Sequence, residues 1–380
     1  MTTAMNQRMN RRKLITGGLV GAAAVAAGCG TRAGTGAAAA TGGLGKRVRW
    51  TLASSFPSSL DTIYGAAEVL ATRVAEMSGG QFTIRVMEAG ELVGAMQVLD
   101  SVQNGAAQIG QTGGYYYTGK DAALAFDTCV PFGLTARQQT AWLMEGGGLE
   151  LMREVYADFG IINFPGGNTG AQMGGWFKNK VEGLEDLKGL KMRIPGQGGK
   201  VMDALGVNVQ VLAGGDIYPA LERGAIDATE WVGPYDDEKL GFYKVAKNYY
   251  YPGWWEPGPN LSFLVNQAAW DDLPAEYKAM IEAATREGAT AMMTRYDAKN
   301  PAAWKRLLQK DITVRRFPED ILAAARVAAE ELLETEAAAD ARYAKILGQW
   351  RKFRDDSFDW FGAAELSYMD FAMGDNALGK

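Results

Sequence analysis

The chain of 380 residues carries a formal net charge of −5 and is 47% hydrophobic, which is enough apolar material for a large core or for two lobes. Its acidic balance and the lack of a basic tail argue against a nucleic-acid partner, because such binding depends on clustered Lys and Arg. The chain contains no histidine, which excludes imidazole-based hydrolases and most catalytic zinc sites and lowers the expectation of an enzyme.

The first 29 residues have the composition of an export signal. Two arginines and a lysine at 11–13 form a charged start. Residues 14–27 follow as a Gly/Ala-rich apolar stretch that is too short for a stable membrane span. The paired arginines predict a twin-arginine signal, and therefore a periplasmic protein.

Cys29 follows a sequence that resembles a lipoprotein processing site. Ala26 stands at the position where such sites usually have Leu, so lipid anchoring at Cys29 and simple removal of the leader both stay open. Residues 30–45 are rich in Gly, Ala and Thr and are predicted to form a flexible tether.

Residues 47–87 have the pattern of a strand, a helix and a second strand. Val48, Trp50 and Leu52 alternate along the first strand, and a capping-type start near Asp61 opens the helix. Strand, helix and strand in this order predict a parallel sheet with a crossover connection, and hence an α/β protein.

Cys129 is the second of the two cysteines in the chain. With Cys29 removed or lipidated, no internal disulfide can form. The apolar surroundings of Cys129 at 126–132 predict a buried thiol that packs as a small hydrophobic side chain. A reactive thiol is the alternative.

A weak internal echo relates residues 102–109 to residues 221–228. In both segments a helix ends at a glycine, Gly105 or Gly224, and a short apolar strand follows at once. The long spacing excludes a solenoid repeat and favours two similar lobes, although helix–glycine–strand units are also common in α/β proteins.

Aromatic and polar residues follow both copies of this echo. Tyr115, Tyr116 and Tyr117 come after the first copy, and Glu230 and Trp231 come after the second. Ligands of open α/β sheets bind beyond the carboxyl ends of strands. We therefore expect Tyr115 and Tyr117 to line a binding cleft, with one or two of the three tyrosines facing the core instead.

The remaining chain is predicted as short strands followed by long helices. Strands are expected at 176–178, 190–194, 207–212 and 312–317, and helices within 274–310 and 320–354. The tail at 358–373 has an amphipathic, aromatic face. This face packs either against the same molecule or against a partner subunit.

The sequence Leu-Lys-Gly-Leu-Lys-Met-Arg-Ile at 187–194 and the helix end Leu-Glu-Arg-Gly-Ala-Ile-Asp at 221–227 are the most specific motifs. With the leader and segment 80–114, they resemble the substrate-binding subunits of tripartite ATP-independent periplasmic (TRAP) transporters. The resemblance implies a two-lobed α/β fold with crossing hinge segments and a long C-terminal helical region. It also implies delivery of a solute to a membrane permease driven by an ion gradient, and no enzymatic activity.

On this basis we expect lobe I at 46–165 and 255–317 and lobe II at 166–254. Residues 318–380 are expected to form helices that pack across the lobes or onto a partner subunit. The resembled subgroup includes dimers that exchange C-terminal helices, which makes the tail a candidate homodimer interface. The lobes are expected to close about their hinges around the ligand.

Glu230-Trp231 and the sequence Trp-Trp-Glu-Pro at 254–257 resemble the subgroup that binds 2-oxo acids such as pyruvate, or lactate, together with a metal ion. In that subgroup, the positions that match Gln172, Glu230, Trp231 and Glu256 contribute to a sodium or calcium site that bridges the ligand.

Arg193 is the first candidate for binding the solute. Its guanidinium is always charged and presents a planar fork that holds a carboxylate by two parallel hydrogen bonds. Met192 and Ile194 on either side predict burial, which is costly for a cation that lacks an anionic partner. In the resembled family, the arginine at this strand position binds the substrate carboxylate. A structural salt bridge to a local Asp or Glu is the alternative.

Glu230 and Glu256 lie in aromatic, apolar segments, where two neighbouring carboxylates repel unless one is protonated or a cation lies between them. Hard cations prefer carboxylate, amide and carbonyl oxygens, which the Gln172 amide and the Trp231 carbonyl could supply. Beside Arg193, calcium would neutralise two glutamates and a ligand carboxylate, whereas sodium would leave one negative charge. Separate bonds of each glutamate to Lys or backbone donors are the alternative.

Asn168 and Gln172 lie in a glycine-rich loop, where their amides can serve both metal and solute. With Arg193 they favour a small monocarboxylate that has a keto or hydroxyl oxygen on carbon two. Three other functions stay open: a TRAP binding protein for another organic acid or a polyol, a component of an ATP-driven importer, and an exported hydrolase. The hydrolase would use Glu230 and Glu256 as acid and base, and it assigns Arg193 no role.

Overall fold

The computed structural model describes residues 46–374. The predicted leader (1–29) and tether (30–45) lie outside these residues, as do positions 375–380. The strands are β1 (Val48–Ser54), β2 (Phe82–Met87), β3 (Ile109–Thr112), β4 (Ile161–Asn168), β5 (Trp176–Phe177), β6 (Lys191–Arg193), β7 (Asn208–Gln210), β8 (Ala228–Thr229), β9 (Asn248–Tyr251), β10 (Asn260–Asn266) and β11 (Thr313–Arg316).

The helices alternate with these strands in the first part of the chain and dominate its end. They are α1 (Gly65–Met77), α2 (Val98–Gln103), α3 (Ala125–Thr128), α4 (Ala136–Glu145), α5 (Gly148–Ala157), α6 (Gly196–Ala204), α7 (Gly214–Glu222), α8 (Pro234–Leu240), α9 (Gln267–Asp271), α10 (Ala275–Leu307), α11 (Glu319–Ala339), α12 (Ala341–Phe361) and α13 (Ser367–Met373). Within residues 46–374, no helix combines the length and the apolar character that crossing a membrane requires.

The first sheet has the strand order β2-β1-β3-β10-β4. β1 runs parallel to β2 and β3, whereas β10 runs antiparallel to β3 and β4. The predicted strand–helix–strand unit at 47–87 is therefore confirmed. α1 begins at Gly65 rather than near Asp61, because the Asp61 carboxylate bonds to side chains that are distant in sequence instead of capping the helix.

The second sheet has the strand order β11-β9-β5-β8-β6-β7. β6 runs parallel to β7 and β8, and β5 runs antiparallel to β8 and β9. β11 (Thr313–Arg316) pairs in parallel with β9 of the second sheet, although residues 255–317 are expected in lobe I. β4 also continues to Asn168, beyond the expected end of lobe I at 165. The lobe boundaries stay a prediction.

The two copies of the sequence echo occupy equivalent places in different sheets. α2 is followed by Gly105 and β3 in the first sheet, and α7 is followed by Gly224 and β8 in the second. Both glycines have positive φ, of 79° and 74°, a backbone conformation that other residues rarely adopt. The chain therefore turns in the same way into both strands, and the residues after β3 and β8 leave the two sheets at corresponding ends.

The two long C-terminal helices pack into two apolar cores, and Leu333 of α11 shares the core of α12. α11 contributes Ile321 and Ala325 to the core that contains β6 and β9, whereas α12 contributes Tyr343 and Trp350 to the core beneath α4 and α5. Asp340 separates the helices with an extended backbone, and its carboxylate accepts a hydrogen bond from the Tyr343 N–H at 2.9 Å. The C-terminal region therefore contacts the cores of both sheets.

The tail at the end of α12 leaves its apolar side chains exposed. Phe371 is 93% exposed, Leu366 66% and Trp360 63%. Arg137 of α4 forms an ion pair with Glu365 in this segment. Most of the aromatic face of the tail is therefore exposed in the part of the chain that the structure describes, and its contacts with α4 include a cation–π contact between Arg137 and Phe361.

Cys129 lies in the segment between α3 and α4. Its thiol is free and its side chain is 8% exposed, which confirms the prediction of a buried small side chain. Burial raises the pKa of Cys129 well above its ordinary value, and the negative charges of Glu256 and Glu230 add to the effect.

Candidate functional site

Arg193 ends β6 and is buried, with 1% of its surface exposed. The side chains of Met192 and Ile194 on either side belong to an apolar core. The Arg193 Nε donates a hydrogen bond to the Leu212 carbonyl at 3.1 Å, and Nη1 forms an ion pair with the Glu230 carboxylate. Nη2 is buried and has no hydrogen-bond partner among residues 46–374. The guanidinium therefore keeps one nitrogen, with two N–H donors, for a further anionic group.

Glu230 directly follows β8, which pairs with β6 in the second sheet. Its backbone N–H donates to the Arg193 carbonyl at 3.3 Å, which places both side chains at one edge of the sheet. Burial raises the pKa of Glu230, and the charge and hydrogen bond of Arg193 lower it in part. The Trp231 ring centroid lies 5.2 Å from the Arg193 guanidinium carbon, within cation–π range.

Glu256 and Gln172 lie beside this ion pair. The Gln172 N–H donates to the Glu256 carbonyl at 3.3 Å, and the Gly253 N–H donates to the Gln172 carbonyl at 3.0 Å. Burial raises the pKa of Glu256 well above its ordinary value, and the charge of Glu230 adds to this rise. The Gln172 Nε2 donates to the Thr169 hydroxyl at 3.2 Å, while its Oε1 is buried without a partner in the described part of the chain.

These residues enclose a cavity of about 10 Å³, roughly the space for one water molecule. Its wall is formed by Phe56, Ile63, Tyr115, Thr169, Gln172, Arg193, Glu230, Trp231, Val232, Pro259 and Leu261. Phe56 follows β1 and Tyr115 follows β3 of the first sheet, whereas Arg193 and Glu230 come from strand ends of the second. The cavity therefore lies where strand ends of both sheets meet.

The structure brings most of the predicted site residues together. Tyr115, Gln172, Arg193, Glu230 and Trp231 all line the cavity. Glu256 adjoins it through its backbone bond with Gln172 and is only 4% exposed.

Tyr117 does not line this cavity and faces the core, as was expected of one or two of the three tyrosines. Its hydroxyl accepts a hydrogen bond from the Leu99 N–H at 3.2 Å and lies 3.1 Å from the Thr112 hydroxyl, inside an apolar core. The physical reason is the 3-10 turn at Gly114–Tyr117. With three residues per turn, Tyr115 and Tyr117 point in different directions, whereas a strand would have placed them on one face.

Asn168 also lies outside this cavity. Its Nδ2 donates to the Gly258 carbonyl at 2.9 Å, and its Oδ1 accepts from the Gly170 N–H at 2.9 Å. Both ends of the amide thus hold loop backbone in place. Asn168 borders instead a larger cavity of about 370 Å³ between α4, α5 and α10, whose wall does not include Arg193.

Sequence reasoning missed several residues in the wall of the cavity. Phe56 lies just beyond the carboxyl end of β1, where the rule for ligand positions in α/β sheets could have found it. Ile63, Val232, Pro259 and Leu261 carry no chemical signal of their own, because they contribute only apolar wall.

The donor set fits a hard cation. Two buried carboxylates and an unpartnered amide oxygen are the ligand types that sodium and calcium prefer, and soft thiolate ligands are not part of the set. Within residues 46–374, no cluster of three or more His, Cys, Asp or Glu side chains could hold a metal ion. A cation at this site would therefore depend on the amide and carbonyl oxygens as much as on the acids.

Residues 53–340 match the DctP family of bacterial extracellular solute-binding proteins, family 7. With the fold and the site described above, this match shows that the chain belongs to the DctP family of TRAP solute-binding proteins, which act outside the cytoplasm. The predicted family and the α/β fold with a long C-terminal helical region are confirmed.

Among curated relatives, the chain is 55% identical over 325 residues to the monocarboxylate 2-oxoacid-binding periplasmic protein of Nostoc sp. (strain PCC 7120). The alignment covers 86% of this chain and 89% of that protein.

Two solved structures of TRAP solute-binding proteins share the fold. That from Bordetella bronchiseptica has a TM-score of 0.86 and 43% identity over 88% of this chain and 100% of the other. It is a mixed-occupancy dimer with copurified calcium and picolinate in an active site. That from Pseudoalteromonas atlantica has a TM-score of 0.83 and 42% identity over 86% and 99% of the two chains, and it contains sodium and pyruvate.

Proposed function

We propose that this protein captures a small 2-oxo acid such as pyruvate, together with a sodium or calcium ion, for uptake by a TRAP permease. The buried Arg193 at the wall of a closed cavity carries the proposal, because its Nη2 lacks a partner among the described residues and Glu230 and Glu256 lie nearby. The ligands of the Nostoc and Pseudoalteromonas relatives support this class of solute.

Arg193 is proposed to bind the carboxylate of the solute. Its Nε is fixed by the Leu212 carbonyl, so the outer edge of the guanidinium is held in a defined orientation. The Arg193 and Glu230 side chains are buried, and charge-assisted hydrogen bonds are stronger where the effective dielectric constant is low. The solute therefore gains both charge neutralisation and a fixed direction.

Glu230, Glu256, the Gln172 Oε1 and the Trp231 carbonyl are proposed to hold the metal ion. The ion would supply positive charge to two buried carboxylates and a Lewis-acidic partner for the oxygen on carbon two. Gln172 is suited to this role because its Nε2 is bonded to Thr169, which leaves Oε1 as the end of the amide without a partner in the described chain.

Binding of the solute and the cation would then replace the ion pair between Arg193 and Glu230. In the structure Arg193 pairs directly with Glu230, and the cavity of about 10 Å³ is too small for a 2-oxo acid. We propose that the Arg193 guanidinium stays in place and binds the solute carboxylate through Nη2, while the Glu230 carboxylate turns from Nη1 to the cation. The cavity opens by relative movement of its two walls.

We further propose that the protein has no catalytic activity. A carboxylate-pair hydrolase needs one glutamate that is free to donate or accept a proton at a scissile bond. Glu230 is instead paired with the buried Arg193, to which such a mechanism assigns no role, and the DctP family is one of solute-binding proteins.

The partner interactions and the location are proposed from sequence and family. The exposed apolar tail, with Leu366 and Phe371, is proposed to pack onto a second copy of the chain, and the Bordetella relative is described as a dimer. The twin-arginine-like leader supports export to the periplasm, with or without a lipid anchor at Cys29.

Calorimetry on the unliganded protein tests the proposal. Pyruvate is expected to bind after addition of sodium or calcium and to lose at least tenfold in affinity after chelation or dialysis into metal-free, sodium-free buffer. Lactate and a neutral polyol are the comparison solutes. Glu256→Gln should weaken binding of pyruvate in the presence of metal, whereas exposed Glu185→Gln should not. Metal-independent binding of pyruvate would remove the cation from the site, and binding of the polyol alone would overturn the proposed function.

A further inference from the structure

Tyr115 separates two spaces of very different size. Its side chain borders the closed cavity of about 10 Å³ that contains Arg193 and Glu230. It also borders an outer groove of about 570 Å³ between the turn at Gly114–Tyr117 and the α6 region. Tyr115 is therefore the residue that the walls of the two spaces share.

Close packing holds the Tyr115 side chain in this position. A Cβ atom added at Gly196 would lie 2.9 Å from the Tyr115 Cβ, and one added at Gly113 would lie 3.0 Å from the Tyr115 Cζ. The Tyr116 ring packs edge-on against it, with ring centroids 4.5 Å apart. Two glycines and an aromatic neighbour thus shape a slot for this ring, and larger side chains at either glycine would displace it.

The groove beyond Tyr115 suits a hydrocarbon chain. Its wall includes Met96, Tyr116, Ile194, Val209 and Val211. The charged residues at its rim are Lys200 and Asp203, and the Lys200 ammonium is paired with Glu336 of α11. Among the described residues, the groove therefore offers mainly apolar contacts. Because the Lys200 ammonium is already paired, the groove disfavours a solute with a second carboxylate.

We propose that Tyr115 is a specificity-determining residue that limits the length of the carbon chain of the bound 2-oxo acid, and that the groove accepts a longer chain when this ring is removed. The inference rests on the proposed function, since Arg193 and the cation are taken to fix the other end of the solute. The Bordetella relative holds picolinate, which presents a carboxylate and a ring nitrogen in the same arrangement as a 2-oxo acid but has a larger body. The carboxylate and the donor atom beside it can thus stay the same while the rest of the solute varies in size.

Calorimetry with pyruvate and the six-carbon 2-oxohexanoate, in the presence of metal, tests this role. The unaltered protein is expected to prefer pyruvate. Tyr115→Ala should shift the ratio of the two affinities toward 2-oxohexanoate by at least about tenfold, because each buried methylene contributes about fourfold in affinity. Tyr115→Leu should give a smaller shift in the same direction.

Two further variants distinguish an effect of the groove from a general loosening of the site. Tyr218→Ala on α7, outside the cavity and the groove, is expected to leave the ratio unchanged. Val211→Trp, introduced together with Tyr115→Ala, should cancel the gain because it fills the groove. If both Tyr115 variants bind pyruvate with an unchanged ratio, or if neither binds a 2-oxo acid although both fold, the role of Tyr115 is overturned. Failure of the unaltered protein to bind any 2-oxo acid would overturn the proposed function first.

Discussion

The Asp61 carboxylate, in the turn before α1, accepts a hydrogen bond from the Tyr235 hydroxyl at the start of α8, with an oxygen–oxygen distance of 3.0 Å. Lys299 of α10 approaches the same carboxylate at 2.8 Å, and Lys239 of α8 forms a further ion pair with it. Asp61 precedes the cavity residue Ile63 by two positions. The network therefore joins the turn before α1 to α10, which packs on β4 of the first sheet, and to α8, whose Asp237 bonds to Trp176 of the second sheet.

Asp61→Asn should destabilise the folded protein. Although burial raises the pKa of Asp61, its bonds to Lys239, Lys299 and Tyr235 lower the pKa to about 2. Because the folded-state pKa is depressed, this stabilisation is present above about pH 4 and is lost as the pH falls toward 2. The carboxylate is 46% exposed, so solvent screening limits the expected loss at pH 7 to about 1 kcal/mol.

Urea unfolding of both proteins at pH 7, 4 and 2.5 measures the Asp61 effect. The difference in free energy of unfolding should shrink at the lowest pH. Asp272→Asn is the matched control, because its partner Lys46 and Asp272 itself are 69% and 75% exposed. An equal loss in both variants, or a difference that persists at pH 2.5, would contradict the importance of this network.

Arg193→Lys should weaken binding of pyruvate on the order of 100-fold, because a lysine keeps the charge but loses the planar fork and the Nε bond to Leu212. Calorimetry in the presence of metal gives the affinity directly. Arg223→Lys, at the exposed end of α7, is the matched control and should bind as the unaltered protein does. Near-native affinity of the Arg193 variant would remove this residue from the site.

Asp237→Asn should flatten the dependence of stability on pH. Burial raises the pKa of Asp237 to about 7, and the adjacent Asp236 adds to this, while hydrogen bonds from Tyr249 (2.6 Å) and Trp176 (3.0 Å) lower it in part. The folded state therefore binds a proton that the unfolded state has already released, and stability falls as the pH rises from about 4 through 7. Asparagine keeps an acceptor oxygen and cannot titrate.

Urea unfolding between pH 5 and pH 8 tests the Asp237 prediction. The decline in free energy of unfolding should be smaller in the variant, by on the order of 1–2 kcal/mol. Asp311→Asn, whose side chain is 98% exposed, should leave the decline as it is. An identical slope in the Asp237 variant would show that this carboxylate does not titrate in the window.

Leu366→Asp combined with Phe371→Asp should convert a dimer into a monomer, because both side chains belong to the exposed apolar tail and a charge there is costly to bury between subunits. Light scattering coupled to size-exclusion chromatography measures the mass. Val327→Asp on α11, at a position that is 59% exposed outside the tail, should leave the mass unchanged. A dimer that survives the double substitution would exclude the tail as its interface.

The sequence indicated the site most clearly where a charged residue stands at a predicted strand or strand end among apolar residues. Arg193 is a permanent cation between two apolar residues on a strand, and Glu230 is an acid directly after another strand, so each already needed a partner. The structure places them together because β6 and β8 are neighbours. The echo around Gly105 and Gly224 likewise reflects local backbone requirements, which are encoded in the residues themselves.

The structure differs from the predictions where the outcome depends on contacts that short sequence patterns do not contain. β11 has the composition of a strand, but its pairing with β9 is set by contacts between residues far apart in the sequence. Tyr117 could not be placed from the sequence alone, because three consecutive tyrosines do not distinguish a strand from a 3-10 turn. Asn168 ends β4 at the start of a loop, where an amide can serve a ligand or the loop backbone, and here it bonds the backbone.

The buried thiol of Cys129 has a practical consequence for spectroscopy. Thiolate is the species that reacts with maleimides, and burial raises the pKa of this thiol and leaves it only 8% exposed. A form that begins after residue 29 would therefore behave toward such reagents as a protein without cysteine. Fluorophores or spin labels could be attached to cysteines introduced at chosen surface positions, with Cys129 left in place. Distances between the labels would then report the binding of the solute.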